Sequence, residues 1–327
     1  MNTIMKPTLI VLLASCLAVL ADTEEQLNKN FAVQPGGKLI VEVDFGSIEI
    51  NTNASSEVTV DVFRKVSRSN KADEEAFLAD RPVTFEQDGN SVKIYSRPKS
   101  KTQNWWRGNK RTEARYTITV PGSFAANLKT AGGEVAVNDL TGGTRAETSG
   151  GGFRLARLHG NLYAATSGGG IQVRDCEGSL EVRTSGGGIN VAGGSGSLEG
   201  KTSGGPVTVK DFRGPARVES SGGGITIENV SGKVDGSTSG GSISARFATP
   251  LSEEVKLETS GGGVTLRVPD NSAFDLDAST TGGSVNSEIP VAVSGKINHS
   301  HLKGPVNGGG KSVVLRTSGG SIHVKKS

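Results

Sequence analysis

The sequence predicts an all-β protein, a single-chain β-solenoid with 18-residue rungs that follows an N-terminal β-rich capping region. Glycine accounts for 47 of the 327 residues, twice its usual share of about 7%, and only six of these glycines precede residue 130. From Thr130 to Thr238, a threonine or serine followed by a small residue and two glycines recurs every 18 residues. Between these glycines, apolar and polar residues alternate, which is typical of strands. Collagen would require glycine at every third position, and a disordered chain would lack the apolar alternation.

Residues 1–21 have the pattern of a secretion signal. Lys6 supplies a positive charge, and Thr8 to Leu20 form an apolar stretch that is shorter than the roughly 20 residues of a transmembrane helix. Two cleavage patterns are open. Cleavage before Asp22 suits ordinary signal peptidase, whereas the run from Leu13 to Cys16 resembles the bacterial lipobox, which would make Cys16 a lipidated N-terminus. In either case we expect an exported protein that is periplasmic, outer-membrane-anchored or extracellular.

The capping region covers residues 36–129 and follows a polar segment, residues 22–35, that we expect to be a linker. One short helix is predicted over Asn70–Arg81, because Asn70 suits an N-cap, acidic residues follow it and Pro82 ends it. Period-two alternation predicts strands at Lys38–Asp44, Ser47–Asn51, Glu57–Arg64, Pro82–Glu86, Ser91–Tyr95 and Arg115–Val120.

The glycine-rich repeats occupy residues 130–327, and the unit from Thr166 to Thr184 shows how a rung forms. Its first strand points Ile171 and Val173 to the same side as the apolar residues of its second strand. One rung cannot bury this face alone, whereas stacked rungs make a continuous core from parallel strands about 4.8 Å apart. We expect the recurring threonines to form a ladder of hydroxyl hydrogen bonds along the stack.

The regular interval ends near the C-terminus. The spacing lengthens to 21 residues at Thr259, to 21 again at Thr280, and to 37 at Thr317, close to two periods. Close to the end of the sequence, Lys325 and Lys326 are expected to charge the final edge strand and to discourage end-to-end stacking of solenoids.

Three segments are distinctive: the Gly-Gly-Lys-Leu-Ile-Val-Glu-Val opening at Gly36, the Asn-Leu-Lys-Thr-Ala-Gly-Gly start at Asn127, and the Thr-Ser-Gly-Gly-Gly repeats. They resemble one bacterial family, the "putative adhesin" β-strand-repeat domain, a domain of unknown function. The resemblance spans about residues 30 to 326. It implies an exported, right-handed β-helical protein, and it supplies no catalytic motif.

Acidic residues recur at one position of the repeat, at Asp139, Asp175 and Asp211, with Asn229 following. Pectin-cleaving β-helix enzymes use acidic clusters on such a surface. Asp175 and Asp211 would lie two rungs, about 9.6 Å, apart, near the upper limit of an inverting carboxylate pair. Asp and Asn are also preferred turn residues, and no basic side chain accompanies them regularly, so we favour a turn role.

Histidine and cysteine are the two further residue types that could serve as metal ligands or reactive groups. His299 and His301 could present two imidazoles on one strand face, but a third ligand is missing nearby, so we predict no metal site and no cofactor. Cys176 occupies a repeat position that carries Leu158 and Phe212 in other rungs, which predicts a small core residue.

The segment from Arg97 to Arg111 is the main candidate for ligand binding. It contains both tryptophans of the chain and no acid. Aromatic rings can stack on sugar faces, and the cations can hold phosphate or uronate groups. The alternative is a solvated loop whose tryptophans fold back onto the solenoid. The candidate residues are Arg97, Lys99, Lys101, Trp105, Trp106, Arg107, Lys110 and Arg111.

These features together predict a non-enzymatic scaffold of the cell envelope or surface, with a polysaccharide or another envelope component as partner. The net charge of +3 provides no global attraction to nucleic acid, export disfavours such a partner as well, and membrane contact is expected only through a lipid on Cys16. The second hypothesis is a carbohydrate-active β-helix enzyme. A flat face of mixed charge favours the scaffold, and a groove with three clustered carboxylates favours the enzyme.

Overall fold

A computed structural model describes residues 22–99, 111–293 and 298–327 of the chain. These residues form two 14-stranded sheets that enclose one continuous apolar core. In this described part of the chain, no helix is long and apolar enough to cross a membrane.

The elements follow the chain in three groups. The N-terminal elements are β1 (Thr23–Ala32), β2 (Gly37–Val43), β3 (Ser47–Asn53), β4 (Glu57–Ser67), α1 (Lys71–Asp80), β5 (Thr84–Asp88), β6 (Ser91–Ser96) and β7 (Arg111–Pro121). The regular rungs are formed by β8 (Phe124–Thr130), β9 (Val135–Asn138), β10 (Thr144–Thr148), β11 (Phe153–Ala156), β12 (Leu162–Thr166), β13 (Ile171–Arg174), β14 (Glu177–Thr184), β15 (Ile189–Ala192), β16 (Ser195–Thr202), β17 (Val207–Lys210), β18 (Ala216–Ser220), β19 (Ile225–Glu228), β20 (Val234–Thr238), β21 (Ile243–Arg246), β22 (Val255–Thr259) and β23 (Val264–Val268). The C-terminal strands are β24 (Phe274–Thr280), β25 (Val285–Ser287), β26 (His301–Val306), β27 (Lys311–Thr317) and β28 (Ile322–Lys326).

Each regular rung contributes one strand to each sheet. The first sheet has the order β1-β4-β7-β3-β9-β11-β13-β15-β17-β19-β21-β23-β28-β25, and the second has the order β5-β6-β2-β8-β10-β12-β14-β16-β18-β20-β22-β27-β24-β26. From β8 to β21, neighbouring strands of a sheet are parallel, and residues 18 apart pair, as Ile171 does with Ile189. The predicted β-solenoid with 18-residue rungs is therefore confirmed.

The core lies between the two sheets, because side chains alternate strictly along every rung. In β13, Ile171 and Val173 are buried, whereas Gln172 and Arg174 are exposed. The residues on the opposite strand of the rung close the core from the second sheet. Stacking repeats this arrangement in each rung, so the apolar face that one rung exposes is covered by its neighbours.

The first corner of each rung is a Thr-Ser-Gly-Gly turn joined to the next by side-chain hydrogen bonds. In the rung of Thr202, the hydroxyl donates to the carbonyl of Gly187 in the preceding rung at 2.7 Å and accepts from the backbone N–H of Gly205 at 3.3 Å. The equivalent donor bonds span 2.6 to 3.0 Å from Thr130 to Thr317. The predicted ladder thus runs along the stack, and its acceptors are backbone carbonyls rather than other hydroxyls.

The corner after each first-sheet strand from β9 to β19 bends through a left-handed residue. Asp139, Asp175, Asp211 and Asn229 have φ angles of 60°, 50°, 53° and 54°, a conformation that Asp and Asn tolerate better than most residues. Gly193 takes the same position with a φ of 72°. The turn role of the recurring acids is therefore confirmed.

The N-terminal end of the solenoid is threaded out of chain order. Strands β2 and β3 form a rung that lies between β6 and β7 on one side and β8 and β9 on the other. Antiparallel strands β5, β4 and β1 then cover the outer edges of this end. The stack therefore ends in antiparallel strands, with β1 and β5 as the outermost strands of the two sheets, and no parallel rung is exposed at this end.

The C-terminal end uses the same arrangement. Strands β27 and β28 lie between the rung of β22 and β23 and the outer strands β24 and β25. The hydroxyl ladder follows this order, because Thr317 donates to Gly262 and Thr280 donates to Gly320. The expectation that Lys325 and Lys326 charge the final edge strand was therefore wrong: β28 is an internal strand, and β25 lies outside it.

Two expectations for the capping region met different outcomes. The helix is confirmed as α1, with the Asn70 side chain accepting a hydrogen bond from the backbone of Asp73. The prediction of a polar linker over residues 22–35 was wrong, because residues 23–32 form β1, which pairs antiparallel with β4 along its whole length. An ion pair between Glu25 and the fully buried Arg64 joins these two strands.

The close approach of the turns predicts opposite effects for two glycine substitutions. A Cβ at Gly205 would lie 2.4 Å from backbone atoms of Gly187, so Gly205→Ala should lower the free energy of unfolding by at least about 1–3 kcal/mol, the usual cost of overpacking. A Cβ at Gly200 would meet the Val218 side chain at 3.4 Å. Gly200→Ala should therefore raise stability by about 0.4–1 kcal/mol through a more restricted unfolded chain. Urea unfolding followed by circular dichroism measures both, and equal stability of the two variants would contradict the turn analysis.

Candidate functional site

The basic segment predicted as the ligand site lies partly outside the described residues. Five of its eight candidates fall there: Lys101, Trp105, Trp106, Arg107 and Lys110. The possible lipidation site Cys16 also lies outside the described residues. The remaining three residues are placed at the two ends of the segment.

Each of these three residues is anchored to the capping region. Arg97 forms an ion pair with Glu42. The backbone N–H of Lys99 donates to the carbonyl of Asp80 at 2.9 Å. The carbonyl of Arg111 accepts a hydrogen bond of 3.1 Å from the guanidinium of Arg68. Both ends of the segment are therefore held next to helix α1.

The base of the segment is a packed cluster around Phe77 of α1. The guanidinium groups of Arg68 and Arg81 each lie 4.3 Å from the centre of this ring, a distance typical of cation–π contacts. Arg81 also donates hydrogen bonds to Asp44 at 2.8 Å and to Asp80 at 2.9 Å. These contacts engage both arginines within the protein.

Burial also affects the ionisable groups behind this cluster. Burial raises the pKa of the Asp44 carboxyl, although Arg81 opposes the shift, and burial raises the pKa of the Tyr116 phenol. The fully buried Arg64 donates to Glu25 at 2.6 Å and to the carbonyl of Arg81 at 2.5 Å. The cluster is a structural platform that holds the ends of the basic segment, since each of its buried arginines forms an ion pair with a carboxylate of the protein.

The turn acids considered for catalysis do not converge on one another. Arg157 donates to Asp139 at 2.8 Å, and this contact holds the pKa of that carboxyl below its usual value. A general acid in glycoside hydrolysis needs the opposite shift. Asp211 accepts a hydrogen bond of 3.0 Å from the Asn229 side chain in the next rung. Both contacts link consecutive turns.

The histidines and the cysteine also have structural surroundings. His159 lies 3.2 Å from Glu177, and His301 lies 3.4 Å from Asp277. No group of three or more potential metal ligands occurs among residues 22–99, 111–293 and 298–327. The thiol of Cys176 is fully buried, as predicted, and burial raises its pKa.

A shallow groove runs along the second sheet. It has two sections of ≈ 500 Å³ and ≈ 420 Å³ that meet at Ser179 and Glu181. Its floor is a column of mostly small residues at 18-residue intervals: Ala125, Gly143, Asn161, Ser179, Ser197 and Pro215. Its wall is a second column at the same interval: Asn127, Arg145, Tyr163, Glu181, Glu199, Arg217 and Asp235. The six intervals of the wall span roughly 29 Å along the solenoid.

One aromatic ring lines this groove. Tyr163 is half-buried on the outer face of β12, and the guanidinium of Arg145 lies 4.1 Å from the centre of its ring. This stacking holds the ring in place beside the polar side chains of neighbouring rungs. A fixed aromatic surface among hydrogen-bonding groups is suited to a sugar ring.

The charges beside the groove form a lattice of alternating sign. Arg183 contacts Glu181 at 2.8 Å in its own strand and Glu199 at 3.3 Å in the next. Hydrogen bonds from Arg217 and Lys201 hold the pKa of Glu219 below its usual value. The carboxylates on this face are therefore engaged as ions by neighbouring cations and do not form an isolated acidic cluster.

Sequence analysis did not identify this groove. The signal was available, because reading the repeats in 18-residue register places Arg145 and Tyr163 in one outward-facing column. The sequence did not show that these columns line a concave surface.

Comparison with known families agrees with this architecture. Residues 38–325 match the Toastrack DUF4097 family. The chain belongs to this family. The match covers both the threaded N-terminal rungs and the regular solenoid. It also extends into β28, whose last residues are 325 and 326.

Three solved structures are similar to the chain at low identity. A "putative cell adhesion protein" from Clostridium sporogenes is 14% identical with a TM-score of 0.21, and the match covers 93% of this chain and 100% of that chain. A "putative adhesin" from Bacteroides fragilis is 11% identical with a TM-score of 0.32, covering 93% and 97%. A "putative lipid binding protein" from Parabacteroides distasonis is 13% identical with a TM-score of 0.37, covering 92% and 96%. No curated protein matches the chain.

Proposed function

We propose that this Toastrack protein is an exported, non-enzymatic scaffold of the cell envelope or surface that adheres to polysaccharide through the groove of its second sheet. The observation that carries the proposal is the groove itself, a shallow channel of mixed polar and apolar lining along several rungs with one fixed aromatic ring at Tyr163. An extended polymer can contact successive rungs in such a channel, so that many weak contacts add along its length.

The charge pattern supports adhesion rather than turnover. Outward-facing cations of the second sheet pair with carboxylates in neighbouring strands, as Lys201 does with Glu219 at 3.1 Å. A glycosidase instead requires two carboxyl groups in different protonation states flanking one bond. The alternative function is a carbohydrate-active enzyme that uses the turn acids Asp175 and Asp211, which occupy the same corner in rungs two apart.

Substitution of the groove tyrosine tests the adhesion proposal. A glycan array first identifies the polysaccharides that the wild type binds. Tyr163→Ala should weaken binding to these polysaccharides by roughly three- to tenfold, because it removes the stacking surface. Tyr95→Ala is the matched control, since Tyr95 is also half-buried on the second sheet but lies on β6, outside the groove. Equal binding by the wild type and the Tyr163 variant would remove the groove from the proposal. A loss confined to a Trp105→Ala/Trp106→Ala variant would assign binding to the basic segment.

Substitution of the turn acids separates the scaffold from the enzyme. Asp175→Asn and Asp211→Asn should leave any effect on polysaccharide unchanged, because Asn tolerates the left-handed turn as Asn229 does. The measurement is release of reducing ends from the bound polysaccharide, with circular dichroism to verify the fold. Turnover by the wild type that disappears in either folded variant would favour the enzyme.

Mass spectrometry of the mature protein from its producing cells tests export. We expect the N-terminus at Asp22, or at a lipid-modified Cys16 if the lipobox is used. Both species are shorter than the full chain. Recovery of the chain with residues 1–21 intact would contradict the export proposal.

A further inference from the structure

Three cations form a column on the outer face of the first sheet. Arg246 of β21 pairs in register with Arg267 of β23, and Arg267 pairs with Lys325 of β28. Their side chains point outward, because the preceding residues of each strand are buried in the core. Parallel strands lie about 4.8 Å apart, so three positive charges follow one another closely along the solenoid axis. We call these three residues the cation column.

No carboxylate neutralises the cation column. Within the described residues, no Asp or Glu side chain lies within ion-pair distance of Arg246, Arg267 or Lys325. The neighbouring acids have other partners: Glu228 lies in register with Arg246 on the next strand but forms its ion pair with Lys210, and Asp270 pairs with Lys326. Glu288 accepts a hydrogen bond from the backbone of Lys326. The residues outside the description, 1–21, 100–110 and 294–297, contain no Asp or Glu.

The second sheet provides the contrast. Between β8 and β27, each Lys or Arg on its strands has a carboxylate within 4.0 Å. These cations are Lys129, Arg145, Arg183, Lys201, Arg217, Lys256, Lys311 and Arg316. The same solenoid therefore pairs its cations on one face and leaves three consecutive cations unpaired on the other.

Stacking like charges in directly opposed positions destabilises a sheet. Nothing in the rung geometry requires cations there, since the same column carries Asn138, Ala156, Ala192 and Glu228 in other rungs, as well as Arg174 and Lys210. We propose that the cation column is an anion-binding ladder for a linear acidic polysaccharide, whose carboxylates align along the solenoid axis. Each guanidinium or ammonium group then supplies charge-assisted hydrogen bonds to a carboxylate.

The residues beside the column favour a glycan over other polyanions. Ser244, Thr265 and His323 form the adjacent outward column, in register across the same strands. Their hydroxyl and imidazole groups can hydrogen-bond to sugar hydroxyls. Single-stranded nucleic acid binding relies on aromatic stacking, and a membrane surface would require apolar anchors. The outward positions of β21, β23 and β28 carry no Phe, Tyr or Trp and no large apolar side chain.

This inference rests on the proposed function in one respect, because it requires that the protein meets polysaccharide outside the cytoplasm. It names a second surface and a ligand class that the groove does not define. The groove and the cation column lie on opposite sheets, so each can be inactivated separately.

Binding of the purified protein to polygalacturonate, measured by isothermal titration calorimetry, tests the proposal, with dextran as an uncharged polysaccharide. The triple variant Arg246→Gln/Arg267→Gln/Lys325→Gln should bind polygalacturonate at least about tenfold more weakly than the wild type. Wild-type binding should weaken with added salt, and this dependence should be smaller in the triple variant. The melting temperature of the triple variant should be equal to or higher than that of the wild type, because the substitutions remove the like-charge contacts.

The matched control is Arg183→Gln/Lys201→Gln/Arg316→Gln. It also removes two arginines and one lysine, but from the second sheet. It should retain wild-type affinity for polygalacturonate. Equal losses in the two triple variants would show a net-charge effect and overturn the proposal, as would no polygalacturonate binding by the wild type.

Two further arms identify the ligand class and separate this proposal from the function above. Binding to duplex DNA or to phosphatidylglycerol vesicles that is as tight as to polygalacturonate, and that the cation-column variant loses, would overturn the assignment to polysaccharide. Failure of the cation column with retained Tyr163-dependent glycan binding would leave the proposed function intact. If the wild type binds neither polygalacturonate nor any glycan on the array, both the cation-column proposal and the proposed adhesion function are contradicted.

Discussion

The fold depends on how closely the backbones of successive Thr-Ser-Gly-Gly turns approach. At this corner a Cβ on the second glycine would overlap the carbonyl of the preceding rung, as at Gly169 and Gly187. Glycine is therefore required by the stacking distance itself. The threonine before it donates to a carbonyl of the same preceding turn, which satisfies a backbone acceptor that the tight stack removes from water. The constraint explains why glycine and threonine recur together.

Stacking at one interval converts a linear repeat into columns of side chains. Positions that are 18 residues apart in sequence become neighbours about 4.8 Å apart in space. Because the core positions must stay apolar and the corners must stay small or left-handed, the outward columns are the part of each rung that is free to vary. The groove wall around Tyr163 and the cation column from Arg246 to Lys325 are two such columns. Polymers with a regular repeat are the ligands that such surfaces are suited to contact.

Sequence reasoning succeeded where local patterns decide structure. It predicted the strands and helix of the capping region, the buried face of each rung, the hydroxyl ladder and the turn role of Asp139, Asp175 and Asp211. It failed at β1, because Thr23 to Ala32 is largely polar and is held as an edge strand by pairing with β4 and by the ion pair of Glu25 with Arg64. A distant partner, rather than its own alternation, makes this segment a strand. The groove was missed for a similar reason, since concavity depends on neighbouring rungs.

By itself, the sequence determined the composition of each rung, because burial alternates with period two and the tight corners require glycine, threonine or a left-handed residue. The tertiary structure alone decided the order in which rungs stack. Parallel strands with matching apolar positions can pair with any similar rung, so nothing local specifies that β27 and β28 insert beside β22 and β23. That insertion places Lys325 next to Arg267 and completes the cation column. Chain order would have placed the strand of Val285 there instead.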